Sequence, residues 1–264
     1  MVPVRRTGAT LGARWKVGDV AGHSKWAQIK RKKAANDKQR GKVISKHIRA
    51  IQSAVREGGG GDPSVNLPLK NALAAAKSDN VPADNIERAI ERGLGGAENG
   101  AAFETVFYEG YGPGGVAVLV EVLTDNRNRT VGEVRHVFSK RGANLSGSVA
   151  WQFETKGMIV IDRDDEVVAE VAIEAGADDI EVDEGATTVY TGPTVLYDVV
   201  EGLQRAGIEP QVSQLTKVPQ STTALSGAEA ARVVAFLEAL EELDDVQNVY
   251  STADLSAFAD PVGG

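Results

Sequence analysis

The hydrophobic period of the chain changes at a glycine-rich segment, Leu94–Ala102, and that change divides what can fold on either side. Before it, residues 24–92 read as helical. Ser24 is placed to cap a first basic helix with Trp26 and Ile29 on one face. A second helix is predicted from about Gln39 to Glu57. Its Ile44, Ile48, Ile51 and Val55 recur at i, i+4, i+7 and i+11, one stripe of a 3.6-residue period. Lys42, Lys46 and Arg49 leave that stripe and are expected to face outward. Gly58–Gly61 ends the helix, Pro68 opens the next with Leu69, Leu73 and Ala76 on one face, and Pro82 opens a fourth that Gly93 stops.

After residue 102 strands and helices alternate. Val116–Leu123 is β-branched and apolar throughout, as a buried strand is, and 130–140 is a helix. Between Trp151 and Lys217 the order is strand, helix, strand, strand, helix, strand: short strands at 151–153 and 158–161, then 180–182, 187–190 and 211–217, with helices at 165–175 and 195–206. That is the ferredoxin-like plan. The flanking pieces, strand 116–123 with helix 130–140 and helix 227–242 with strand 246–250, need each other. The predicted class is therefore α+β and multidomain: an all-α N-terminal domain, then two ferredoxin-like α/β domains, one inserted in the other. The expected boundaries are 22–94, 95–150 with 218–258, and 151–217. Residues 1–21 are expected to be a disordered extension or a wrongly chosen start, with Val20 a candidate initiator.

Charge is as uneven as the period. Eleven Lys and Arg lie between Lys25 and Arg56 against one acid, Asp37, whereas residues 57–264 carry 14 Lys and Arg against 35 Asp and Glu. A solvated face ordinarily mixes signs. A basic block on one element, carried by an acidic remainder, is the footprint of a nucleic-acid binder. The candidate contacts are His23, Ser24, Lys25, Trp26, Lys30, Arg31, Lys32, Lys33, Lys38, Arg40, Lys42, Lys46 and Arg49. Lys and Arg neutralise phosphates and release counterions. Trp26 and His23 either stack on a base or serve the fold, Trp26 in the helical core and His23 in a turn.

A second polar segment, Asp125-Asn126-Arg127-Asn128-Arg129, joins a buried strand to a helix N-terminus. Guanidinium forks and backbone N–H groups there suit a phosphate or base edge. Equally, Asp125 or Asn128 caps the helix and an Arg pairs with an acid such as Glu121. Gly110-Tyr-Gly-Pro-Gly-Gly115 fits the dinucleotide pattern G-x-G-x-x-G, but it precedes a strand and Pro113 offers no N–H, so it reads as a turn. The acids Glu238, Glu241, Glu242, Asp244 and Asp245 read as a solvated face, or as a surface for a basic protein. The chain has no cysteine and three separated histidines, which argues against thiolate chemistry, a metal cluster or a catalytic triad. No cofactor, no metal and no membrane span are expected.

The stretches AGHSKWAQIKRKKAANDKQRGK, NLPLKNALAAAKSDNVPADNIERAIERG, YEGYGPGGVAVLVEVLTDNRNRT and FSKRGANLSGSVAWQFETKG, in this order, resemble the YebC/PmpR family, which includes the mitochondrial translational activator of cytochrome oxidase subunit one. The resemblance spans residues 21–255. It implies a helical domain and two α/β domains around a central cavity, in a cytoplasmic, non-enzymatic regulator of gene expression. Bacterial members are described as transcriptional regulators that bind promoter DNA. The mitochondrial relative and some bacterial members act in translation, on ribosomal or messenger RNA. The matched motif positions are His23, Ser24, Lys25, Trp26, Lys30, Lys33 and Arg40, and the loop Asp125–Arg129. Ala143 stands where many members have glycine.

Three readings follow. A monomeric RNA- or ribosome-associated factor needs only a basic lobe for a phosphate-rich cleft. A promoter-binding regulator needs a recognition helix free to enter a major groove. An enzyme with a site in an interdomain cleft is the remote third. The late-start expectation has a direct check: intact-mass measurement of native protein should give a mass counted from about Val20, and a mass counted from Met1 removes it.

Overall fold

The computed structural model describes residues 37–95, 103–164, 166–183, 185–255 and 258, with side chains from Gly41 onward. The predicted first basic helix, with His23, Ser24, Lys25, Trp26, Lys30, Arg31, Lys32 and Lys33, lies outside the described residues, as do the side chains of Lys38 and Arg40 and the linker residues 96–102.

Among the described residues three helices form the amino-terminal lobe: α1 (Asp37–Glu57), α2 (Leu67–Ser78) and α3 (Ala83–Leu94). The expected stripe of α1 turns inward. Ile51, Ala54 and Val55 are buried with Leu69, Ala76, Val81 and Ala89, and Ile44, Ile48, Leu73, Ile86 and Ile90 pack around them. The joint between α1 and α2 depends on Asn66, which is buried. Its Oδ1 accepts from Leu69 N and caps α2, while its Nδ2 donates to Ala54 O at 2.9 Å and Gly60 O at 2.8 Å. Gly93 does not stop α3, as its sequence position suggests. It lies inside the helix, where an added Cβ would come within 2.7 Å of Val55 Cβ, so its smallness lets α3 approach α1.

The next unit is a three-stranded antiparallel sheet in the order β1-β2-β7, from β1 (Glu104–Tyr111), β2 (Ala117–Thr124) and β7 (Val246–Ser251). Helices α4 (Arg127–Lys140) and α7 (Gly227–Glu241) cover one face. Val118, Val120 and Val122 of β2 meet Val134, Phe138, Val233, Phe236 and Leu237 there, with Phe138 and Phe236 edge to face at 5.0 Å. Strand β1 is absent from the sequence expectation; the G-x-G-x-x-G segment gives its first two residues to β1 and its last four, Gly112–Gly115, to the turn of the β1–β2 hairpin, with Gly114 and Gly115 at positive φ. This split unit therefore carries ββα before the insertion and αβ after it, not the full ferredoxin-like order expected for it.

The inserted unit does have that order. β3 (Phe153–Ile161), α5 (Glu166–Glu174), β4 (Asp179–Asp183), β5 (Ala186–Thr191), α6 (Leu196–Arg205) and β6 (Val212–Pro219) form a sheet ordered β4-β5-β3-β6, antiparallel throughout. Ile159, Ile161 and Val189 bury against Val168, Ala172, Leu196, Val199 and Leu203 of its helices. Trp151 and Gln152, expected in a strand, sit in a single 3-10 turn, Ala150–Gln152, that leads into one unbroken β3.

The lobe touches both α/β units. α2 lies against β6, Tyr197 Oη donates to Asn71 Oδ1 at 2.6 Å, and Lys70 Nζ stands 4.7 Å above the Tyr197 ring. α1 reaches α7. Asn66→Ala should lower the stability of the lobe by about 2 kcal/mol, because it removes the α2 cap and the Nδ2 donor to Gly60 O, while Ala54 O keeps its bond from Gly58 N. Thermal unfolding followed by circular dichroism checks this; an unchanged transition would show that the Asn66 bonds contribute nothing.

Candidate nucleic-acid interface

Lys42, Lys46 and Arg49 fall at i, i+4 and i+7 of α1, so they share one side of the helix. That side does not simply open to solvent, which corrects the outward orientation expected from the sequence. Lys42 Nζ donates to Glu242 O at 3.0 Å, Lys46 Nζ to Glu241 O at 2.9 Å and Arg49 Nη1 to Asp244 O at 2.7 Å. The physical reason lies in α7. Its final carbonyls lack intrahelical donors and form the negative end of the helix dipole. Its last turn contains no basic residue. α1 supplies those cations from another part of the chain.

The loop 125–129 caps α4. Asn126, rather than Asp125 or Asn128, is the N-cap, its Oδ1 accepting from Arg129 N at 3.1 Å. Arg127 forks onto Glu104 at 2.5 and 2.6 Å, and this hydrogen-bonded pairing holds the Glu104 carboxyl below its ordinary value. Glu121, the expected partner for an Arg, instead accepts from Tyr250 Oη and Asn248 Nδ2. Arg129 Nη2 reaches Asp125 at 2.9 Å and Asp245 at 2.6 Å. The whole segment Asp125–Arg129 stays exposed, Asn128 included.

Asp245 joins the two sets. It is 3% exposed and accepts from Arg129, from Thr130 Oγ1 at 2.6 Å, from Thr124 Oγ1 at 3.2 Å and, more distantly, from Arg49 at 3.4 Å. Burial pushes its carboxyl up, but the donors from Arg129, Thr130 and Thr124 together outweigh burial and hold it below the usual aspartate value. Sequence reading placed Asp245 on a solvated acidic face. Only its position after an amphipathic helix and before a strand sets it apart, and Asp244 shares that position.

Lys42, Arg49, Asp125, Arg129, Glu133 and Asp244 line a cleft of about 550 Å³ beside this carboxylate. The structure thus brings the carboxyl-terminal part of the basic block and the polar loop to one place. The cations there are already bonded to carbonyls and carboxylates, so a phosphate entering the cleft must compete for them.

Asp245→Asn should cost about 2 kcal/mol of stability at neutral pH, since neutral amide replaces the acceptor of charge-assisted bonds. A depressed folded-state value means that the stabilisation is complete above the unfolded aspartate value of about 3.9 and is lost as pH falls through the lower folded value. The stability gap between wild type and variant should therefore be constant near neutrality and close below about pH 4, measured by urea unfolding across pH. A gap independent of pH would assign the cost to something other than the carboxylate charge.

Comparison with known proteins places this architecture. A family model for the TACO1/YebC protein N-terminal domain matches residues 24–96, and one for the TACO1/YebC second and third domain matches residues 103–253. A "Probable transcriptional regulatory protein" of Deinococcus radiodurans is 56% identical over 238 residues, 89% of this chain and 98% of its own length. A protein so named from Thermus thermophilus is 54% identical over 237 residues, 89% of this chain and 97% of its own. The crystal structure of a conserved hypothetical protein from Aquifex aeolicus matches with a TM-score of 0.76 at 45% identity, covering 86% of this chain and 94% of that one. Both domain models are met in order and relatives agree at half their positions along nearly their whole length: this chain belongs to the TACO1/YebC family.

Proposed function

We propose that this protein is a non-enzymatic, nucleic-acid-binding regulator of gene expression that works on RNA, at or near the ribosome, through its basic amino-terminal lobe. The observation that carries this reading is the charge block: eleven cations against one acid between residues 25 and 56, on a body with a large acidic excess. Lys42, Lys46 and Arg49 hold α1 to α7, so phosphate contact falls first to Lys25, Lys30, Arg31, Lys32, Lys33, Lys38 and Arg40, which precede them.

The engagement of α1 also favours RNA over promoter DNA. A recognition helix must lie free in a major groove. Here one side of α1 forms the lobe core and another is bonded to α7. The names of the bacterial relatives favour the second reading, a regulator of transcription that acts on DNA. The non-enzymatic reading is supported by the relatives, which are named as regulatory proteins. Among the described residues no helix is long and apolar enough to cross a membrane.

Replacing Lys30, Arg31, Lys32 and Lys33 with Ala should abolish polyanion binding in a filter assay while the circular dichroism spectrum is preserved. Wild-type protein should co-sediment with ribosomes in an RNase-sensitive manner and bind promoter-length duplex more weakly at physiological salt. Tighter binding to duplex, with no ribosome association, would move the function to transcription.

A further inference from the structure

Apolar packing joins the three units unevenly. The two α/β units share a buried cluster, in which Ala117 and Leu119 of β2 and Tyr250 of β7 meet Val149 and Phe153, the first residue of β3. Among the described residues, no such cluster includes both the amino-terminal lobe and either α/β unit. The lobe closes its own core around Ile51, Leu69 and Val81. The bonds that join it to the split unit are polar: Lys42 to Glu242 O, Lys46 to Glu241 O, and Arg49 to Asp244 O and, more distantly, Asp245 Oδ1. Parting these groups opens no shared core, so it costs far less than separating the α/β units.

All three of these cations belong to the basic block between residues 25 and 56. Their present acceptors are modest rivals to a phosphate. A carbonyl is neutral, and the end of a helix acts as about half a negative charge, whereas a phosphate carries a full one. A phosphate cannot simply join them in the docked arrangement. The cleft beside Lys42 and Arg49 is also lined by Asp125, Glu133, Glu242, Asp244 and Asp245. Glu133, Glu242 and Asp244 are exposed there. Phosphates seated on this side of α1 would face those carboxylates at close range, and like charges repel. The repulsion is relieved if the lobe carries its cations away from the end of α7.

We propose that the contact between α1 and α7 is a latch that nucleic-acid phosphates open: Lys42, Lys46 and Arg49 exchange the carbonyls of Glu242, Glu241 and Asp244 for phosphates, and the lobe leaves the split unit. This rests on the nucleic-acid-binding function proposed above and adds a regulation to it. The second attachment of the lobe stays as the pivot, because the Tyr197–Asn71 bond and the Lys70–Tyr197 contact use no member of the basic block. A short polyanion that occupies only the earlier cations leaves the latch shut. A longer one gains three further contacts by opening it. The exchange commits that side of α1 to phosphates rather than to base edges. Binding and opening are reciprocal, so whatever opens the latch by other means tightens polyanion binding.

The chain has no cysteine, which allows spin-label pairs to be placed on the full-length protein. The pair E87C/S139C reports from α3 to α4, and S139C/E170C reports within the α/β units, all at exposed positions. Saturating oligouridine, long enough to span the basic block, should shift the electron–electron distance of the first pair by several ångströms and leave the second unchanged. The variant K42A/K46A/R49A should bind with a salt slope smaller by about 2, as expected for three lost contacts to a single strand at ~0.7 each. E242K/D244K puts cations beside the α7 carbonyls. It should give the open distance without ligand and bind oligouridine about fivefold more tightly than E170K/E174K, which changes the net charge equally on α5. An unmoved first pair at saturation, an equal shift of both pairs, an unchanged slope in the alanine variant, or equal affinities of the two lysine variants each overturn the latch. If wild-type protein does not bind oligouridine at all, the nucleic-acid function fails and the latch falls with it. If it binds while the first pair stays in place, only the latch fails.

Discussion

The carboxyl end of α7 presents backbone carbonyls that its own last turn cannot satisfy, and α1 brings Lys42 and Lys46 across to those of Glu242 and Glu241, with Arg49 taking Asp244 O in the turn beyond. Asp245 extends this bonding inward. One buried carboxylate receives Arg129, Thr130 and Thr124 on Oδ2 and, at longer range, Arg49 on Oδ1, so the same side chain ties the N-terminus of α4 to the β7 end of the sheet and to α1. Removing water from such a carboxylate is costly, and only the convergence of several donors makes its burial stable.

This arrangement ties architecture to function. The cationic block is consumed unevenly: its carboxyl-terminal members hold the lobe in place, and its earlier members are left as candidates for an external polyanion. Separately, α4 is polar in an asymmetric way. Its first turn is committed to Glu104, Asp125 and Asp245, whereas its last turns carry cations with no partner among the described residues.

Much of the fold was legible because period and punctuation agreed. The α1 stripe, the proline-started α2 and the βαββαβ order of the inserted unit each follow from apolar spacing plus Gly or Pro at the breaks. Misses fell where a residue serves two roles. β1 is an edge strand with Thr105, Phe107 and Tyr111 exposed, so its alternation carries no strong apolar signal, and the glycines after it mark only the turn. Gly93 looks like a terminator but is a contact surface for Val55. Trp151 has strand propensity, yet Glu109 gathers the N–H groups of residues 149 and 150 into a 3-10 turn.

The amino-acid sequence alone determined the helical lobe, the α+β class, the nested order of the α/β units and the concentration of positive charge near the start, because these depend on local spacing and composition. Tertiary structure alone decided which cations are occupied. Lys42 and Glu242 are 200 residues apart, as are the other partners to within a few positions, and no local rule links them. Whether a lysine faces water or a helix terminus depends on where the chain returns, and burial of Asp245 rather than Asp244 depends on which of two adjacent carboxylates points under Arg129 and Thr130.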